Sequence, residues 1–210
     1  MATVITVENL VSALITRPGD KRAIIAIAGA PGSGKSTLAD EILTRINDVN
    51  PKRATVLPMD GFHYDDAVLH ALKRHNRKGA PDTFDVDGLE NILARLRKNT
   101  RATVAVPVFD RRIELARASA RLIPDTCNIV LVEGNYLLLD TPPWNALSQY
   151  FDVTVMIQTP TDVLRQRLTQ RWEKHGIPAA EIQLKIEGND LPNGDIVMTH
   201  SRQADYSIET

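Results

Sequence analysis

The sequence predicts an α/β fold, a three-layer sandwich with a central parallel sheet of about five strands and a helical lid. Two observations carry this expectation. Short continuous apolar runs alternate with segments of helical apolar spacing, as in units that wind around a parallel sheet. Two of those runs end in a carboxylate, Asp60 and Glu133, at the strand ends where open parallel sheets bind ligands.

The elements follow in order. Val7 to Ile15 places Val7, Leu10, Val11, Leu14 and Ile15 on one helix face, and Arg17-Pro18-Gly19-Asp20 breaks it. Ala23 to Ala28 is an unbroken β-branched and small apolar run, as a strand covered on both faces requires. A glycine-rich loop comes next, then a helix from about Lys35 to Val49 with Leu38, Ile42 and Ile46 four residues apart. Thr55 to Met59 is a short strand that delivers Asp60. Asp65 to Arg77 has helical spacing and ends at Gly79-Ala80-Pro81, and Asp87 to Lys98 is a further helix through Leu89, Ile92, Leu93 and Leu96. Thr103 to Phe109 is extended but contains Pro107, which suits an edge. Ile129 to Val132 is a buried strand ending in Glu133, and Val153 to Ile157 is another, followed by an arginine-rich helix from about Thr161 to His175. Gly188 to Gly194 reads as turns and Tyr206 to Glu209 as a return to the sheet. With no repeat or linker, residues 1–210 are expected to form one domain, with a lid at approximately 161–190.

Composition narrows the function classes. Lys and Arg total 25 against 26 acids, a formal charge of -1, which gives no overall field favouring nucleic acid. Cys127 is alone, so no intrachain disulfide forms, and a small buried thiol is expected. The opening MATVITVENL lacks a basic start and apolar block, and no apolar run approaches the roughly 20 residues of a membrane span. A cytoplasmic protein without a membrane partner is expected; a homodimer is left open.

The densest chemical signal is Gly29-Ala30-Pro31-Gly32-Ser33-Gly34-Lys35-Ser36, a complete P-loop between a strand and a helix. Glycines let the backbone wrap a phosphate with its N–H groups inward, and the new helix offers its positive end. Lys35 would reach the β- and γ-phosphates, Ser36 would supply a hydroxyl to magnesium, and Thr37 would support the phosphate shell. The expected cofactors are ATP and Mg2+. No Asn-Lys pair occurs, which argues against a guanine-reading GTPase, and no Leu-Ser-Gly-Gly stretch marks a transport ATPase. A small-molecule kinase needs a base for the acceptor hydroxyl and cations over the transferring group. Asp60 and Glu133 supply the carboxylates, one to accept the hydroxyl proton and the other to hold magnesium. Arg167 and Arg171 lie one helical turn apart, opposite Leu164, Leu168 and Trp172, as a closing lid requires.

With those residues in place, the chain from about Arg22 to Glu209 resembles the phosphoribulokinase, uridine kinase and bacterial pantothenate kinase superfamily. The resemblance is carried by the P-loop, Leu57-Pro58-Met59-Asp60-Gly61-Phe62-His63-Tyr64, Arg77 to Asp85, Val106-Pro107-Val108-Phe109-Asp110, Val132-Glu133-Gly134-Asn135-Tyr136 and the arginine lid. It implies that Asp60 is the base, Glu133 a metal-shell residue, and Arg167 and Arg171 lid cations. The Gly-Ala-Pro-Asp-Thr-Phe-Asp stretch is most similar to a short bacterial group often named fructose transport system kinases. Where uridine kinases place ribose-binding side chains, this chain has Gly79, Glu114 and Ala116, so the acceptor pocket is rebuilt. Candidate pocket residues are Phe62, His63, Tyr64, Phe84, Asp110 and Arg111; Phe62 and Phe84 suit the core equally well, and Trp144 and Trp172 are assigned to packing. The expected partner is a small-molecule hydroxyl acceptor, a sugar slightly favoured. The alternatives are a pantothenate or nucleoside acceptor, or a slow ATP-hydrolysing regulatory switch.

Overall fold

The structure is a computed structural model that describes residues 2–19, 21–100 and 103–210. Asp20, last residue of the expected helix break, lies outside them. The chain runs β1 (Thr3–Val4), α1 (Val7–Ile15), β2 (Ala23–Gly29), α2 (Lys35–Val49), β3 (Ala54–Pro58), α3 (Asp66–Ala71), α4 (Val86–Lys98), β4 (Val104–Asp110), β5 (Leu115–Ile123) and β6 (Ile129–Gly134). It continues with β7 (Val153–Gln158), α5 (Thr161–Lys174), α6 (Ala179–Lys185), α7 (Leu191–His200) and β8 (Tyr206–Glu209). Six strands form one parallel sheet in the order β1-β8-β7-β2-β6-β3. The sixth strand, beyond the expected five or so, is the two-residue β1, too short to leave a periodic signal and fixed only by pairing Thr3 and Val4 with Tyr206 and Ser207.

The sheet is covered on both faces, which is why β2 is apolar at every position. Ile25 and Ile27 pack with α1 and α2 through Leu10, Leu14, Ile42 and Ile46, while Ile24, Ala26 and Ala28 face α4 and α7 through Leu93, Leu96 and Val197. Period-two alternation sends neighbouring residues to opposite layers, both dry. At the end of the sheet away from the P-loop, buried Arg22 donates to the carbonyls of Cys127, Leu96 and Pro124 at 2.8, 3.2 and 2.6 Å. Cys127 is buried as expected, and burial raises its thiol pKa.

Two local expectations are corrected, and one strand goes beyond what the sequence showed. The helix expected from Asp65 to Arg77 stops at Ala71; Lys73 adopts the left-handed φ of 58°, and a single 3-10 turn at His75–Arg77 follows. Gly188 to Gly194 is not a run of turns. A π-helical turn, Ile186–Asp190, leads directly into α7, with the Leu191 N–H donating to the Ile186 carbonyl and Pro192 following at the junction. A Cβ at Gly194 would sit 3.2 Å from Ala30 Cβ, so the glycine lets this helix press against the P-loop. Finally, Leu115–Ile123 is a strand without apolar alternation, held by antiparallel pairing with β4 in a separate two-stranded ribbon. Pro107 sits at the register shift of that ribbon, as an edge position allows.

Candidate active site

Three adjacent strands, β2, β6 and β3, bring the expected groups to one edge. Glu133 is paired in register with both Ile27 and Pro58, which places it beside the P-loop on one side and Asp60 on the other. Gly32 and Gly34 take the left-handed φ values 82° and 91°, and a Cβ at Gly29 would stand 2.6 Å from Ser33 Oγ. Only glycine fits such a loop without strain. The 15-residue α2 begins at Lys35 without a side-chain cap or an acid in its first turn, so its positive end is open to an anion. The Ser33 hydroxyl is buried inside the cradle without a hydrogen-bond partner among the described residues. An orphaned donor, an uncapped helix start and two left-handed glycines fit a bound phosphate.

Lys35 is buried and donates from Nζ to the Ala30 carbonyl at 2.9 Å. Burial lowers its pKa to about 8, against the opposing pull of Glu133 and Asp60. Ser36 Oγ donates to Glu133 Oε2 at 3.2 Å. Glu133 is buried, and burial, with Asp60 adding to it, raises its pKa to about 7 against the pull of Lys35. The Ser36 hydroxyl and the Glu133 carboxylate are hard oxygen donors that suit Mg2+, which otherwise takes its ligands from substrate phosphates and water. Asp60 follows β3 in a 3-10 turn, Met59–Phe62. Burial pushes its pKa up, but His63, Arg111, Lys35 and Arg171 together outweigh that and hold it below the ordinary value.

A cleft of about 1630 Å³ opens over these groups, more than the roughly 300–1,000 Å³ typical of one small ligand. Ser33, Lys35, Ser36, Asp60, Glu133, Arg167 and Arg171 line it. Arg167 Nη1 donates to the Ser33 carbonyl at 3.4 Å, over the P-loop. Arg171 lies against the Trp172 ring at 5.4 Å, and its pKa is lowered by burial and by Arg111. Trp172 packs against the Leu168, Ile182 and Ile186 cluster and donates from Nε1 to Asp190 Oδ2 at 2.7 Å, tying α5 to the helical turn before α7.

The candidate pocket residues separate. His63, Phe84 and Arg111 line the cleft; Phe62, Tyr64 and Asp110 do not. Phe62 is buried in the core, and its carbonyl accepts the Asp85 N–H. Tyr64 is held by its backbone, which donates to the Thr83 carbonyl at 3.0 Å. Asp110 turns back onto Arg112 and Arg117 of its own ribbon, at 3.7 and 3.4 Å. His63 donates from Nδ1 to the Asp60 carbonyl at 2.8 Å and packs on Phe84 at 4.1 Å and Phe109 at 4.9 Å; burial lowers its pKa. Behind the cleft, Phe84 packs with the buried Tyr136 and Trp144 rings, with Tyr136 Oη donating to the Gly79 carbonyl at 2.5 Å and Trp144 Nε1 to the Pro81 carbonyl at 3.1 Å. Asn189, Asp190 and Asn193 also line the cleft, and the sequence reading missed them. Asn189 donates to the Lys78 carbonyl at 2.9 Å and to no turn of its own, while Asn193 Oδ1 accepts from Arg77 at 3.1 Å. The i, i+4 spacing of Asn189 and Asn193 would have placed them together had their segment been read as helical.

The Phosphoribulokinase / Uridine kinase family matches residues 24–197. A candidate fructose transport system kinase of Silicibacter sp. TM1040 is 35% identical, with a TM-score of 0.88 over 97% of this chain and 98% of that one. The uncharacterized protein YggC of Escherichia coli (strain K12) is 34% identical over 207 residues, 96% of this chain and 83% of that protein. A candidate uridine kinase of Schizosaccharomyces pombe (strain 972 / ATCC 24843) is 31% identical over 185 residues, 82% of this chain and 77% of that protein. The strand-borne P-loop, the paired carboxylates beside it and these likenesses along nearly the whole chain place the protein in the phosphoribulokinase/uridine kinase family, as an ATP-dependent phosphotransferase with an alcohol group as acceptor.

Proposed function

We propose that this enzyme transfers the γ-phosphoryl group of ATP to a hydroxyl of a small polar metabolite, with a sugar-like acceptor favoured over a nucleoside. The observation that carries this reading is the placement of Asp60 in the same cleft as Lys35 and the Ser36–Glu133 pair, at the side facing His63, Phe84 and Arg111. Asp60 accepts the hydroxyl proton as the hydroxyl oxygen attacks the γ-phosphorus; the bond to the β–γ bridging oxygen breaks, and ADP leaves. Lys35 and the N–H groups at the start of α2 hold the phosphates, and Arg167 and Arg171 offset charge from a lid at approximately 161–190 that keeps water out. Magnesium, when held by Ser36 and Glu133, supplies neutralisation of phosphate charge.

Gly79 and Glu114 line the cleft where uridine kinases would carry ribose-binding side chains, which supports a non-nucleoside acceptor. The likeness to a candidate fructose transport system kinase points the same way, and the likeness to a candidate uridine kinase keeps the nucleoside reading in the test. Each unpaired buried polar group costs about 1–3 kcal/mol, so two or three missing bonds should lower nucleoside efficiency by several powers of ten. The measurement is acceptor-dependent ADP release with sugars, pantothenate, uridine and cytidine at equal concentration. Efficient phosphorylation of uridine or cytidine would overturn the preference.

Glu133→Gln should raise the Mg2+ needed for half-maximal rate by roughly 10- to 100-fold while leaving the fold intact. In the unaltered enzyme a proton competes with the metal below the Glu133 pKa of about 7, so the Mg2+ requirement should climb as pH falls through neutrality. In the Gln variant that climb should be absent. Metal titrations at pH 6 and pH 8 check both, and an unchanged Mg2+ dependence would remove Glu133 from the metal shell.

A further inference from the structure

Arg111 Nη2 lies 2.6 Å from Asp60 Oδ2, so the carboxylate that would accept the hydroxyl proton is already held by a guanidinium. Arg111 stands on the turn between β4 and β5 with its side chain 46% exposed, while Asp60 is partly buried at 26%. With its arginine half in solvent, the contact can be exchanged for another anion without breaking the core. Asp60 is the hydrogen-bond partner of the Arg111 side chain among the described residues; its other neighbour is the Phe109 ring at 5.9 Å.

Lys78 Nζ reaches the same ring at 5.3 Å, so two cations approach one aromatic side chain at this end of the cleft. They differ in their counter-charges. Lys78 has Asp66 at 2.7 Å and Glu114 at 3.9 Å, both outside the proposed chemistry, whereas Arg111 is balanced by the proposed base itself. Removing Asp60 from the pair for catalysis therefore leaves one positive charge to be balanced, by the nucleotide phosphates in the same cleft or by an incoming anionic acceptor.

We propose that Arg111 is a substrate-displaced latch on Asp60, and that the acceptor is a hydroxylated anion whose carboxylate or phosphate draws the guanidinium off the base. This rests on the reading of Asp60 as the base. In the exchange, the Arg111 bond to Asp60 Oδ2 is replaced by one or two bonds to the acceptor anion, a geometry that a planar guanidinium favours. A neutral polyol offers no equivalent, because its hydroxyls accept far more weakly than a carboxylate. The freed Asp60 then takes the hydroxyl proton while the phosphoryl group passes to the acceptor oxygen. Before the acceptor arrives, the latch keeps the carboxylate from activating water, which limits wasteful ATP hydrolysis.

The test uses the full chain with MgATP and acceptors that share a skeleton but differ in charge: glycerol, glycerate and glycerol 3-phosphate, then fructose and fructose 6-phosphate. The wild-type enzyme should favour a charged member of a set over its neutral counterpart by about 100-fold in kcat/KM, and the carboxylate and phosphate arms show which anion is used. Arg111→Ala should lose that preference, chiefly through KM, and its ATP hydrolysis without acceptor should rise. Arg111→Lys should retain part of the preference. Asp60 faces His63, Lys35, Arg171 and the Glu133 carboxylate besides Arg111; losing one cation from that set raises its pKa, so the acid limb of kcat/KM should move to higher pH in Arg111→Ala. Equal use of neutral and charged acceptors, or equal losses with both in Arg111→Ala, would overturn the latch and leave the kinase reading standing. Failure of every acceptor to raise ADP release above hydrolysis would overturn both.

Discussion

Lys35→Ala is expected to lower turnover by about 10²- to 10³-fold or more, since one preorganised charge on the transferring phosphate contributes on that scale. A second loss follows from the same substitution. Lys35 is the leading group that pulls down the Glu133 pKa, already about 7, so its removal leaves that carboxylate more protonated at neutral pH and a poorer partner for magnesium. The fold should survive. The Lys35 pKa is lowered from 10.5 to about 8, so the folded state disfavours the ammonium; this cost is full below pH 8 and fades as pH rises through the unfolded value. Lys35→Met, which keeps most of the side-chain volume, should therefore melt no lower than wild type at pH 7 while being just as inactive. Near-normal turnover in a folded Lys35→Ala protein would sink the phosphate assignment.

Asp60→Asn is the second large effect. Losing a general base costs about 10²- to 10⁴-fold in transfer, and the shape of the side chain is kept, so ATP affinity should stay within a few-fold of wild type. Asp60 is the charge that adds to burial in raising Glu133, so the same variant should also ionise Glu133 at lower pH and need less Mg2+ below neutrality. Initial rates and nucleotide titrations over a pH series separate these effects from those of Glu133→Gln. Normal transfer in Asp60→Asn, with loss of Mg2+ dependence instead, would require the two carboxylates to exchange roles.

Much of this was legible along the chain because it depends on neighbours in sequence. The P-loop is eight consecutive residues whose glycines, lysine and helix start act on one phosphate, and β2 announces itself by six apolar residues in a row. Strand ends carrying Asp60 and Glu133 were legible for the same reason, since a parallel sheet places all such ends on one edge. The acceptor side was not. Phe62, Tyr64 and Phe84 are equivalent in pattern, yet Phe84 faces the cleft and the other two do not. Asp110 and Arg111 are adjacent, yet one turns onto its own ribbon and the other reaches Asp60 from 51 residues away.

The sequence by itself determined the parallel α/β architecture, the phosphate cradle and the two carboxylates beside it, because short-range periodicity and local backbone chemistry specify them. Tertiary structure alone decided that Gly188 to Gly194 is helical, that Gly194 brings that helix onto Ala30, and that Asn189, Asp190 and Asn193 join the cleft. Helix propensity there is low, and packing against the P-loop and hydrogen bonds to Arg77 and Lys78 override it.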